Sequence, residues 1–305
     1  MSTEEKMMKY AKISNLVRGG VAVTFALGLS AIASTSAIAE TALERVKSAG
    51  TIVVGVHNKA PWGYRDAEGN AAGFHPELVV AAMNGLGVDN IELVIADFGA
   101  LIPGLQAGRF DAIASGLYIT PKRCELVAFA NPDLQLRDAV LVAEGNPHGI
   151  DSYATIAANP DLKFGGTRGS AQSKNAAAAG IPENQMSLFQ NTEATISALV
   201  AGRVDAIAFS AATANKVVND PKVEGIERAF PFTGLMLDSG KEKTGYAAVA
   251  FRQDDTDLRD MFNAQLLELR EAGTFDAIMQ ANDFSEQEKA PVEIGYEQIC
   301  SGNVK

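Results

Sequence analysis

The residues of this chain that could do chemistry fall into two sets. The first is sparse. Three histidines (His57, His75, His148) and two cysteines (Cys124, Cys300) are scattered along 305 residues. They lack the close spacing of a metal site, so no metal and no cofactor are expected. His57 is the best candidate for a general acid or base, and no carboxylate stands out beside it. The second set suits binding better than turnover. The Gly169-Ser170-Ala171 turn opens the helical run AQSKNAAAAG. Its backbone N–H groups would lie at a helix N-terminus, where an anion is stabilised. Ser170 could equally serve there as a plain N-cap.

Two nearly identical phrases indicate how such groups are positioned. Residues 107–114 read AGRFDAIA and residues 201–208 read AGRVDAIA. In each, Gly closes a helix where the backbone turns left-handed. Asp then begins a strand, and Ala-Ile-Ala is small enough for a sheet covered on both faces. The surroundings recur as well, which chance repetition of a common helix-turn-strand phrase would not produce. Before the first copy come a strand TIVVGV (51–56), a helix HPELVVAAMNGLG, a strand IELVIADF (91–98) and a helix LIPGLQAGR (101–109). The second copy follows a strand in LKFGGTRGS (162–170) and a helix TEATISALVAGR (192–203), and leads into the strand VDAIAFS (204–210). This order predicts two parallel α/β units. DAVLVAEGN (138–146) and GYAAVAF (245–251) read as further strands, 255–273 as a long amphipathic helix, and 285–305 as an irregular tail. In open α/β sheets ligands bind beyond the carboxyl ends of the strands. Ser115-Gly116-Leu117-Tyr118 and Phe209-Ser210-Ala211-Ala212 should therefore face a shared cleft.

The first 39 residues read as a secretory signal peptide. Lys6, Lys9, Lys12 and Arg18 lead into the apolar run Val21–Ala33, and Ala37-Ile38-Ala39 is a small-x-small cleavage pattern. The apolar run is short for the alternative, a membrane anchor, which needs about 20 apolar residues. The long lead-in leaves Met7 or Met8 open as the start. The chain carries a net charge of −11, and the leader contributes +2 of it, leaving −13 beyond Ala39. Such a charge repels nucleic acid and anionic lipid. In an exported chain the two cysteines are expected to form a disulfide in preference to two free thiols, in an oxidising compartment such as the periplasm.

The leader, the two α/β units, FGALIPGLQAGRFDAIASGLYITPKR and LRDMFNAQLLELREAGTFDAI together resemble the family 3 solute-binding proteins of ABC importers. The resemblance covers essentially all of 40–284. It implies a two-lobed α/β fold of the type II periplasmic binding protein class, with a discontinuous first lobe (40–138 and 244–305), an inserted second lobe (139–243) and a two-strand hinge. APWGY, FGALIPGLQAGRFD, ITPKRC and the Cys300-Ser301-Gly302 tail are similar to the ectoine and hydroxyectoine binders within that family. This branch carries the same pair of cysteines, and Cys124–Cys300 would tie the tail to the first lobe.

On this resemblance Arg123 matches the family arginine that clamps a ligand carboxylate, since a guanidinium offers two parallel donors to a planar anion. Trp62, Phe98 and Tyr118 match pocket aromatics, which stabilise a cation through their ring faces. Gly116 matches a carbonyl that faces the ligand, Gly169 and Ser170 form the anion-facing turn, and Phe209 is a further candidate. Two positions depart from the pattern. Amino-acid binders hold the ligand ammonium with an aspartate where this chain has Ser210, and ectoine binders carry an acid where it has Lys59. The expected function is capture of a small zwitterion such as ectoine by a monomer that delivers it to a membrane permease. A polar amino acid is the alternative ligand. A dehydratase-like enzyme on the same fold and a sensory domain docked on a receptor are the other classes.

Overall fold

The computed structural model describes residues 40–302. The expected signal peptide, 1–39, lies outside the described residues. Two five-stranded sheets organise the described chain. The first runs in the order Asn90–Ile95, Thr51–Val56, Ala112–Ile113, Ala250–Phe251, Ala128–Phe129. Its first three strands are parallel, and Ala250–Phe251 is antiparallel to both of its neighbours. The second runs Met186–Phe189, Phe164–Thr167, Ala206–Ser210, Asp138–Ala143, Ile226–Arg228, and again its first three strands are parallel. The parallel α/β reading therefore holds for the core of each sheet, with antiparallel strands completing both.

The doubled phrase builds the same corner in each sheet. Gly108 (φ 68°) and Gly202 (φ 63°) are left-handed, which ends the helices Leu101–Gln106 and Thr192–Val200. The aspartate that follows pins the neighbouring strand. Asp111 accepts the Val53 N–H at 3.0 Å, while its own N–H donates to the Val53 carbonyl at 2.7 Å. Asp205 repeats this with Lys163, at 2.7 Å and 2.8 Å. The Ala-Ile-Ala segments are buried completely, as a sheet covered on both faces requires.

The run 245–251 is not one strand. Gly245–Ala247 pairs antiparallel with Leu134–Leu136 in a separate two-stranded sheet, and Ala250–Phe251 joins the first five-stranded sheet. The pair stands where the chain leaves the first sheet for the second and where it returns. The long helix is Thr256–Glu271, and Leu258, Phe262 and Leu266 on its buried stripe pack into the first core. The tail contains more order than its sequence predicts. Glu286–Glu288 is a 3₁₀ turn, and Tyr296–Cys300 is a short helix that buries Ile299. Cys300 is disulfide-bonded to Cys124, with 5.7 Å between their Cα atoms. No described helix is long and apolar enough to cross a membrane.

Candidate functional site

The carboxyl ends of the parallel strands of both sheets converge on one small cavity, of about 50 Å³. From the first sheet's side it is lined by His57, Trp62, Phe98, Ser115, Gly116 and Tyr118. From the second it is lined by Thr167, Ser170, Gln172, Thr192, Phe209, Ser210 and Thr213. All of these lie at the carboxyl end of a strand or within about six residues beyond it, as the cleft rule for α/β sheets requires.

Trp62 sits in the loop after the first strand and is held by backbone bonds on either side. The His75 N–H donates to the Trp62 carbonyl at 3.0 Å, and the Phe74 N–H to the Pro61 carbonyl at 2.8 Å. The indole packs on His75 and Phe284, and its Nε1–H donates across the cleft to Thr213 Oγ1 at 3.0 Å. Gly116, at φ 67°, lies flat against the indole, and a Cβ there would overlap the ring. The Gly116 N–H donates to His75 Nδ1 at 2.7 Å, which leaves the His75 proton on Nε2, 3.0 Å from Asp133. Gly245 of the connecting strand pair leaves room for the Tyr118 ring, and the Tyr118 hydroxyl is buried on the side of Ser210 and Gln172.

His57 is a neutral wall group. Burial, followed by the charge of Lys59 and the proximity of His75, lowers its pKa from 6.5 to about 3. Ser115 Oγ accepts the His57 backbone N–H at 2.9 Å and stands 2.5 Å from Nδ1, and the ring meets Phe98 edge-on. So weak a base is poorly matched to proton transfer near neutral pH. On the opposite wall Ser170 and Ser210 cap the helices Ala171–Ala178 and Ala211–Val218, accepting the N–H groups of Ser173 and Thr213. The wall is thus aromatic rings, hydroxyls and amides, with no carboxylate among its lining residues. A buried acid, Asp138, stands behind the wall as the strand partner of Ser210. Its Oδ2 accepts from Tyr153 and Asn175, both at 2.9 Å, and burial raises its pKa.

Of the residues singled out in the sequence, Trp62, Phe98, Gly116, Tyr118, Ser170, Phe209 and Ser210 are brought together in the cavity wall. Lys59, Arg123 and Gly169 lie outside that wall. Arg123 is buried and donates to two carbonyls, Tyr118 at 2.6 Å and, across the cleft, Gly169 at 2.9 Å. Burial lowers its pKa to about 10, so it stays charged at neutral pH. The Lys59 ammonium faces Glu193 at 3.7 Å, an ion pair that also crosses the cleft. Cys124 and Cys300 are not among the residues lining the cavity. Thr167, Gln172, Thr192 and Thr213 were not singled out. Their signal was positional, since each ends a strand or lies in the first turn of a helix, but a lone Thr or Gln carries no chemical motif. Asp138 was read only as part of a strand. Among the described residues no group of three or more His, Cys, Asp or Glu could hold a metal ion.

The family model for bacterial extracellular solute-binding proteins, family 3, matches residues 52–282. This chain belongs to that family. A solved structure described as EhuB in complex with hydroxyectoine superposes on this solute-binding protein with a TM-score of 0.77. The two are 32% identical, over 85% of this chain and 97% of the other. The probable amino-acid ABC transporter periplasmic-binding protein y4tE of Sinorhizobium fredii (strain NBRC 101917 / NGR234) is 34% identical over 281 residues, 91% of this chain and 92% of that protein. An ancestral amino-acid-binding protein, AncCDT-1, a precursor of cyclohexadienyl dehydratase, superposes with a TM-score of 0.69 at 26% identity, over 79% of this chain and 99% of its own. The fold of this solute-binding protein is accordingly the type II form of the family's periplasmic binding proteins.

Proposed function

We propose that this protein is the substrate-binding component of an ABC importer, and that it captures a small zwitterion of the ectoine or hydroxyectoine type between its lobes. The observation that carries the ligand class is the cavity wall. It offers four aromatic side chains, Trp62, Phe98, Tyr118 and Phe209, and no ionised carboxylate. A delocalised cation is stabilised by aromatic faces, by roughly 0.5–2 kcal/mol each. A primary ammonium, by contrast, is best held by a carboxylate, which this wall lacks. The likeness to EhuB with hydroxyectoine supports the same reading. The carboxylate end of the ligand would meet the Ser170 helix start and the charged Arg123 behind it.

In this reading residues 40–138 and 244–305 form the first lobe and 139–243 the second. Leu134–Leu136 and Gly245–Ala247 act as the hinge. Closure is stabilised by Trp62–Thr213, Arg123–Gly169 and Lys59–Glu193. The ligand adds its own contacts to both lobes and shifts the open–closed equilibrium, and the closed monomer docks on the permease at the outer face of the inner membrane. Lys59 then contributes to closure and does not touch the ligand. A polar amino acid is the second reading, favoured by the relative y4tE and by Asp138 behind Ser210.

Titrating the protein with hydroxyectoine, ectoine, glutamine and histidine while following Trp62 fluorescence tests the proposal. Ectoines should bind. Tyr118→Ala and Arg123→Ala should each weaken binding by at least about tenfold (about 1.4 kcal/mol). Binding of glutamine or histidine without ectoine would replace the ligand assignment. Wild-type affinity in both variants would remove the site assignment.

A further inference from the structure

Behind the solute cavity, on the far side of Tyr118, lies a second and much larger recess, a groove of about 580 Å³. This is the size of ordinary small-molecule sites. Both lobes contribute to it. Lys122 comes from the first lobe's short helix Pro121–Cys124, Lys174 from the second lobe's helix Ala171–Ala178, and Lys241 and Lys243 from the segment that returns to the connecting strand pair. The floor is apolar, formed by Ile119, Leu237, Tyr246 and Ile299.

The charge of this groove is opposite to that of the protein. Four lysines face it in a chain whose net charge is −11. None of the four forms an ion pair among the described residues. The one carboxylate on the rim, Glu242, is already engaged by the Gly234 N–H at 2.8 Å and by Arg137 at 3.3 Å. Partial burial, then Arg123, Lys122 and Lys243 in turn, lower the Lys174 pKa, which means that these cations sit close enough to repel one another. Lys243 also acts on Asp138, where burial raises the pKa and the Lys243 charge pulls it back down. Like charges gathered from two lobes around an apolar floor are stabilised by an anion that bridges them.

We propose that this groove is a second binding site, which takes a small organic anion with two negative charges and an apolar body. One charge meets Lys122 and the other meets Lys174 and Lys243, so that occupancy joins the lobes from behind the solute. A compact recess of this volume suits a small molecule better than an extended peptide. The assignment does not depend on which solute occupies the main cavity.

Calorimetric titration of the whole protein at low ionic strength with isophthalate, and with benzoate as the singly charged comparator, tests the site. Isophthalate should bind at least about tenfold more tightly than benzoate, because it alone can bridge the two banks. The pair Lys174→Gln/Lys243→Gln should lose about tenfold or more of isophthalate affinity. The separate variant Lys122→Gln, on the opposite bank, should also weaken it. Melting temperature should not fall, because removing mutually repelling cations relieves strain, and the Trp62 emission response to cavity solutes should be unchanged, since these side chains do not line the cavity. Isophthalate binding the lysine variants as tightly as the unaltered protein, or benzoate binding as tightly as isophthalate, would overturn the proposal.

Discussion

At the scale of single residues, the cavity is defined by groups that are kept uncharged. His57 is the clearest case. Its folded-state pKa of about 3 lies well below the ordinary 6.5. In the window between them the unfolded chain binds a proton that the folded chain does not. His57 therefore costs no stability above pH 6.5 and withdraws it progressively as pH falls toward 3. The steepest loss is at most about 1.4 kcal/mol per pH unit. Asp138, whose pKa is raised by burial, acts in the opposite sense. Its contribution is complete below its ordinary 3.8 and is lost as pH rises past its folded value. Denaturant unfolding at a series of pH values should show His57→Gln losing less stability than the unaltered protein between pH 6.5 and 4. Identical slopes would mean that the imidazole is protonated in the folded state.

At the scale of elements, the second lobe's strand-to-helix turns supply both scaffold and specificity. Ser210 ends a strand, caps the helix Ala211–Val218 and lines the cavity. Aspartate caps a helix about as well as serine. Ser210→Asp should therefore keep the helix cap while adding a carboxylate to a wall that has none. Glutamine affinity, read from Trp62 fluorescence, should rise by about tenfold, the effect of one charge-assisted hydrogen bond. Asp138 is directly across the strand pair, so its pKa should rise further beside the new charge. Unchanged glutamine affinity would mean that position 210 does not meet the ligand's cationic end.

At the scale of the whole molecule, the disulfide and the cross-cleft bonds divide the work. The Cys124–Cys300 bond closes a separation of 176 residues and anchors the tail helix against Pro121–Cys124. The chain-entropy model assigns such a loop about 5 kcal/mol. The double variant Cys124→Ser/Cys300→Ser should melt at a markedly lower temperature, yet bind solute with near-normal affinity where it remains folded, because neither cysteine lines the cavity. A scanning calorimetry comparison, with solute titration below the transition, checks both parts. Equal loss of affinity and stability would instead tie the tail to lobe closure.

The amino-acid sequence by itself determined the α/β class, the two sheet corners and the cleft edge. Those features rest on local rules: Gly108 and Gly202 adopt backbone that other residues resist, and alternating strands and helices leave the strand ends facing one way. It also pointed to Trp62, Tyr118, Ser170 and Ser210, through position and resemblance. Tertiary structure alone decided the rest. The break of 245–251 into two strands depends on partners more than a hundred residues away. The bond of Arg123 to the Gly169 carbonyl, the meeting of Lys59 with Glu193, and the placing of Asp138 behind Ser210 likewise join residues 46 or more positions apart. Each is a contact between segments far apart in the chain, and neither propensity nor periodicity carries information about which distant group will arrive.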